Sequence, residues 1–173
     1  KGKTWKHYGR DKRLEIAGGE APYITSRYDT TTGEFIPIKE RIGLLDRKLR
    51  VICENVHSSG DWLKASQIAF KNTYAFEWQG DSLLLAREAM LYTFIDFYRE
   101  KFEKEPLLKS IKYIAYIISW NVWQMDGLKG VLPNSCKSKE HEVENLFGEK
   151  TMTELPCEGC DKNAIKIHNG NYC

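Results

Sequence analysis

The sequence predicts an α/β fold built on a Rossmann-like parallel sheet. Three strand-like stretches alternate with amphipathic helical patterns; the first strand stops at paired glycines, and the second and third each close near an acidic residue. That order is the pattern of a nucleotide-binding sheet, whose ligands sit at the carboxyl ends of the strands. The 173 residues, 42% hydrophobic and 29% charged, are enough for a domain with its own core.

Each element has a local reason. Lys1 to Arg13 is polar and basic and reads as an edge segment. Leu14-Glu15-Ile16-Ala17-Gly18-Gly19 reads as a strand entering a tight turn, followed by Glu20-Ala21-Pro22-Tyr23. Tyr28 to Glu34 is a Thr-rich loop. Pro37 suits a first helical turn, where its missing N–H costs nothing, and Ile38, Ile42, Leu45, Leu49 and Ile52 follow at helical spacing, so a helix is expected from there to about Asn55. Ser58-Ser59-Gly60-Asp61 breaks the chain, and Asp61 is expected to cap a second helix bearing Trp62, Leu63, Ile68, Ala69 and Phe70. Thr73 to Trp78 is a short aromatic strand with Glu77 near its end. A long helix from Ser82 to about Phe102, capped by Asp81, and another from Leu107 to about Ile118 lead to a third strand, Asn121 to Gly127, closing on Asp126. Beyond Pro133 the composition changes: Lys137 to Met152 is charged and weakly periodic and reads as a flexible insertion, and Leu155 to Cys173 is small, polar and cysteine-bearing. The expected division is a sheet-bearing core over 1–133 and a charged linker with a cysteine knuckle over 134–173.

A formal net charge of +2 excludes nucleic-acid binding by bulk positive charge, although Lys1, Lys3, Lys6, His7, Arg10, Lys12 and Arg13 form a local basic segment that could meet phosphate or be a solvated edge. Apolar runs such as Ile114 to Trp120 fall far short of the ~20 residues that span a bilayer. No signal peptide is recognisable and the first residue is Lys rather than Met, so a cytoplasmic protein is expected, seen as a piece of a longer chain.

Four of the five cysteines crowd the last 38 residues, a distribution that suits a metal site better than a disulfide framework. Cys136, Cys157, Cys160 and Cys173 offer four thiolates, with Gly159 letting the Cys157 and Cys160 sulfurs face one point; tetrahedral zinc is the expected occupant, reduced surface thiols the plain alternative. His168 is an available substitute ligand, and His141 a more remote one. Cys53 is expected in the core. Trp62, Trp78, Trp120 and Trp123 could stack on bases, but core packing is the expectation for aromatic residues at such spacing. Glu77 and Asp126 could equally cap turns, and Gly18-Gly19 could be a tight bend.

Three stretches in order also resemble a family. Leu14 to Tyr23 resembles the first motif of adenine-specific DNA methyltransferases of restriction–modification systems, of the restriction endonuclease subunit M type. Tyr74-Ala75-Phe76-Glu77-Trp78 with Leu84-Leu85-Ala86-Arg87 is similar to the second, and Gln124-Met125-Asp126-Gly127-Leu128 to the third. The resemblance covers nearly the whole chain. It implies a partial methyltransferase core with helical insertions and S-adenosylmethionine as cofactor. Gly18 and Gly19 would lie beneath its amino-acid moiety with Glu15 near the amino group, Glu77 on the ribose hydroxyls, and Asp126 on the adenine amine beside Trp78. Two departures stand out. Ala21 replaces the second motif glycine, and the Asn/Asp-Pro-Pro-aromatic motif that holds the target base is missing, so no catalytic residue is assigned and the motif is expected beyond Cys173. The resemblance implies a parent enzyme that methylates adenine in double-stranded DNA, working with a cognate nuclease or specificity subunit, while this fragment alone is expected to be inactive. The alternative is a non-catalytic, zinc-containing module on a degenerate methyltransferase fold that binds nucleic acid or protein.

Overall fold

The structure, a computed structural model, describes residues 4–144, 147–165 and 167–172. It divides into two compact units, one ending at Trp123 and the other beginning at Gln124.

The first unit is mixed α/β. Its elements are α1 (Trp5–Arg10), β1 (Arg13–Glu15), α2 (Leu44–Asn55), α3 (Ser59–Lys71), β2 (Thr73–Glu77), α4 (Gly80–Phe102), α5 (Leu108–Asn121) and β3 (Val122–Gln124). The three strands form a parallel sheet in the order β1-β2-β3, with Arg13, Leu14 and Glu15 opposite Thr73, Tyr74 and Ala75. Parallel neighbours need crossover connections, which α2 with α3, and then α4 with α5, supply. Trp62 is fully buried, with the rings of Tyr98, Phe94 and Phe102 at 5.5, 5.6 and 5.9 Å. Cys53 packs half-buried against this core and accepts a hydrogen bond from Trp62 Nε1.

Several boundaries differ from the sequence expectation. The helix expected from Pro37 begins only at Leu44, because residues 37–40 form a separate turn and Ile42 and Gly43 are drawn onto Ser26. Ser26 Oγ accepts from the Ile42 and Gly43 N–H groups, and a Cβ on Gly43 would collide with the Ile24 carbonyl oxygen. Ser58, not Asp61, caps α3; its hydroxyl accepts from the Asp61 N–H at 3.2 Å and donates to the Asp61 carboxylate. The first bond is that of an N-cap serine, and the second ties the Asp61 side chain to the cap. Gln79 rather than Asp81 is the N-cap of α4, and α5 runs on to Asn121, so β3 starts one residue later than expected and stops at Gln124, short of Asp126. Of the four tryptophans expected in the core, Trp62 is there, whereas Trp120 is 56% exposed.

The long segment from Ile16 to Gly43 carries no regular element, yet carboxylates hold it in place. Asp46 accepts from the Ser26 N–H and hydroxyl, and Asp96 on α4 pairs with both Arg27 and Arg41 at 2.9 Å. Arg27 is further sandwiched between the Phe35 and Tyr92 rings.

In the second unit, β4 (Lys139–Glu144) and β5 (Lys150–Leu155) pair antiparallel from Lys139 opposite Leu155 to Glu144 opposite Lys150, and α6 (Glu158–Asp161) follows. The expected flexible insertion is therefore a hairpin. Its described strand residues are exposed on both faces, and Val143, Met152 and Leu155 are too few to form the sustained polar–apolar alternation by which strands are read from sequence. Among the described residues, no helix is long and apolar enough to cross a membrane.

Lys48 is 1% exposed and donates to the Asp11 and Asn72 carbonyls at 2.6 and 3.0 Å and to Thr73 Oγ1. Burial pushes its ammonium down to about 8. Between about pH 8 and the ordinary lysine value of 10.5, the unfolded chain binds a proton that the folded chain has released, so stability rises with pH across this window. Urea titrations from pH 7 to 10.5 should show wild type gaining on Lys48→Met through that window and a flat difference below it; a difference that falls with pH would contradict the assignment.

Candidate metal centre and glycine turn

Cys136, Cys157, Cys160 and His168 come together in the second unit, with their ligand atoms all within 4.8 Å of one another. The three sulfurs each lie 3.6 Å from His168 Nδ1. The group could hold a metal ion and is compatible with zinc. His168, named from the sequence as a substitute, is thus the fourth donor here; Cys173 lies outside the described residues, and His141 sits exposed on β4. The signal for His168 was already in the sequence, a histidine shortly after a Cys-x-x-Cys pair.

Local structure builds the site. The Cys157 carbonyl accepts from the N–H groups of Cys160 and Asp161, curling residues 157–160 into one tight turn with α6. Gly159 lies beneath the imidazole: a Cβ there would stand 2.8 Å from His168 Cε1 and Nδ1. His168 is 6% exposed, and its Nε2 is 2.7 Å from the Ala164 carbonyl. A carbonyl can only accept, so Nε2 carries the proton and Nδ1 keeps its lone pair for the cluster. Asn169 clamps the far side through hydrogen bonds to the Lys137 N–H and carbonyl.

The electrostatics favour a cation at the centre. The Asn169 N–H, helped by the Cys160 N–H, holds the Cys157 thiol down at about 6. Desolvation, together with the Cys160 and Cys157 sulfurs, pushes Cys136 up to about 11. Adjacent thiolates repel, and a divalent ion reverses that penalty. Lys129 Nζ, 3.7 Å from Cys160 Sγ, adds positive charge beside the sulfurs.

Asp126 positions that lysine. Its carboxylate accepts from the Leu128 and Lys129 N–H groups, both at 3.0 Å, inside a turn closed by the Asp126–Val131 bridge. This is the turn-capping alternative for Asp126.

In the first unit, Glu15, Gly18, Gly19 and Glu77 gather at the carboxyl ends of β1 and β2. The Gly18 N–H donates to the Phe76 carbonyl at 2.9 Å, and the Gly19 N–H to Glu77 Oε2 at 2.6 Å. Glu77 Oε1 accepts from the Gln79 N–H that opens α4. A Cβ on Gly18 would press on Ala75 Cβ and the Phe76 carbonyl oxygen, both at 3.4 Å. Gly19 has φ +51°, and Ala21 has φ +64° although it is not glycine. The position where the resembled motif carries its second glycine therefore adopts the backbone glycine favours. Trp78 is 43% exposed next to this turn.

Comparison with family models, curated proteins and solved structures gives no match for the chain.

Two outcomes follow for the cluster. Gly159→Val should displace the His168 ring and weaken metal binding by roughly 10–100-fold, read by competition with a chromophoric chelator; unchanged affinity would remove His168 from the donor set. Metal binding at pH 7 should release at least one proton per ion, that of Cys136, measurable by calorimetry in two buffers of different ionisation enthalpy.

Proposed function

We propose that the chain is the cofactor-binding part of an S-adenosylmethionine-dependent adenine DNA methyltransferase, carrying a structural zinc centre in its second unit. The observation that carries the methyltransferase reading is the Gly18-Gly19 turn laid against the end of β2 and fastened to the Glu77 carboxylate. Two of that carboxylate's roughly four lone-pair sites take backbone N–H groups, which leaves acceptor capacity for two ribose hydroxyls. The parallel order β1-β2-β3 agrees with one half of a doubly wound sheet. In this reading Gly18 and Gly19 admit the cofactor backbone to backbone, Glu15 lies near its amino group, and Trp78 stands beside the adenine. The cofactor would supply an electrophilic methyl group. The residues of this chain would bind and orient it, with the target-base motif contributed from elsewhere in a longer protein.

Zinc rests on distance. Bonds of about 2.3 Å to sulfur and 2.0–2.1 Å to nitrogen at tetrahedral angles require a sulfur–nitrogen separation near 3.6 Å, the value seen three times around His168 Nδ1. Three sulfurs and one imidazole close the coordination sphere, leaving no position for a reacting water, so the ion's role is to fold the second unit.

Two features favour a degenerate, non-catalytic module instead: Asp126 spends its carboxylate on its own turn, and Ala21 occupies a glycine conformation. Calorimetry of the full chain with S-adenosylmethionine separates the readings. Saturable heat with wild type and none with Glu77→Ala is expected; no heat with either protein favours the module. Metal analysis after chelator-free purification should find about one zinc per chain, and its absence would overturn the zinc assignment independently of the cofactor result.

A further inference from the structure

A second concave site lies in the first unit and shares no residue with the glycine turn. It is a cleft of about 420 Å³ bounded by α1, the α2–α3 connection and α3, within the range of small-ligand sites. Its walls are chemically divided. Trp5, Ala65 and Ile68 supply aromatic and aliphatic surface, while Lys6, Arg10 and His57 bring basic groups to its edge. Among the described residues, no ion pair engages Lys6 or Arg10. The Lys6 ammonium lies 5.5 Å from the Trp5 ring centroid, so a cation stands beside the aromatic wall. The carboxylate in the lining, Asp61, is already held by Ser58 and by Lys64 at 3.6 Å. The unspent charge is therefore positive. Lys1 and Lys3 of the same basic segment lie outside the described residues.

We propose that this cleft binds an amphipathic anion, an aromatic body with an anionic head group, of which a nucleoside monophosphate is the representative class. The ring lies against Trp5 and the Ala65 and Ile68 side chains, and the phosphate meets Lys6 and Arg10. Apolar contact and charge are both required: removing water from the ring drives burial, and guanidinium and ammonium groups hold phosphate by charge-assisted hydrogen bonds. The basic segment near the start of the chain thereby has a ligand-facing role and is more than a solvated edge.

Gly9 makes the idea testable without disturbing the fold. It lines the cleft, and a Cβ built on it meets nothing within 4 Å. Gly9→Leu therefore fills the cleft while improving helix propensity in α1. The experiment is calorimetric titration of the full chain with AMP, adenosine and inorganic phosphate, with tryptophan fluorescence followed in parallel. AMP should bind in the sub-millimolar range, more weakly as salt rises, and adenosine and phosphate should each bind at least about tenfold more weakly. Gly9→Leu and the double variant Lys6→Ala/Arg10→Ala should each cost about tenfold or more, with melting curves showing both proteins folded. Glu77→Ala should leave AMP binding unchanged, which separates this site from the cofactor site proposed above. No binding at about 1 mM AMP, equal affinity in Gly9→Leu, equal binding of adenosine or phosphate alone, or loss only in Glu77→Ala would each overturn the proposal.

Discussion

The first unit depends on how the ends of a very short parallel sheet are satisfied. Strands of three to five residues leave most of their terminal backbone groups without a ladder partner, and an unpaired buried N–H or carbonyl costs about as much as a lost hydrogen bond. Buried side chains meet that demand from every side. Lys48 ties Asp11, two residues before β1, to Asn72, the residue preceding β2. Asn121 donates to the Phe70 and Thr73 carbonyls, Arg87 to the Val122 carbonyl, and Glu77 accepts from Gly19 and Gln79. Each of these side chains joins segments that lie apart in sequence or marks a strand end, so the polar groups fix the register while the core supplies the driving force.

The second unit solves the opposite problem. Its strands are exposed on both faces, and an isolated two-stranded hairpin is marginal in water. What order it has converges on four donor atoms. Cys136 precedes the hairpin and Cys157 follows it, so an ion held by both would close the loop that the hairpin fills. Metal affinity would then become folding free energy. Gly159 and Gly170 permit the close approach: a Cβ on Gly170 would stand 2.5 Å from Ser135 Oγ and 3.1 Å from Val131. A unit held this way needs little apolar surface, consistent with its composition.

Legibility in the sequence followed the same division. Trp62 and Phe70 stand at helical spacing and are in the core, and the strand closing near Glu77 was read almost to the residue because its aromatic pattern is strong. The helix expected from Pro37 failed because Ser26, far from the periodic pattern, and Gly43, a non-periodic position within it, decide where α2 can begin. The hairpin was invisible because Val143, Met152 and Leu155 are too few to make a sustained alternation among its polar residues. At the metal cluster, spacing marked four cysteines and His168 as a substitute, and what sets His168 in place is a carbonyl at Ala164 and a bare glycine at 159, neither of which a ligand pattern contains.

The two acidic residues placed at strand ends show how one residue type serves different ends. Glu77 bridges the N–H groups of Gly19 and Gln79 across two segments, which holds its carboxylate at the ends of β1 and β2 with lone pairs to spare. Asp126 turns inward on Leu128 and Lys129, two and three residues ahead, and so works as a local turn residue that sets Lys129 near Cys160. A carboxylate that links distant segments can present itself to a ligand without losing its structural role. One absorbed by its own turn must give up that turn to do so, and this asymmetry is why the cofactor reading rests on Glu77 and the metal reading draws in Asp126.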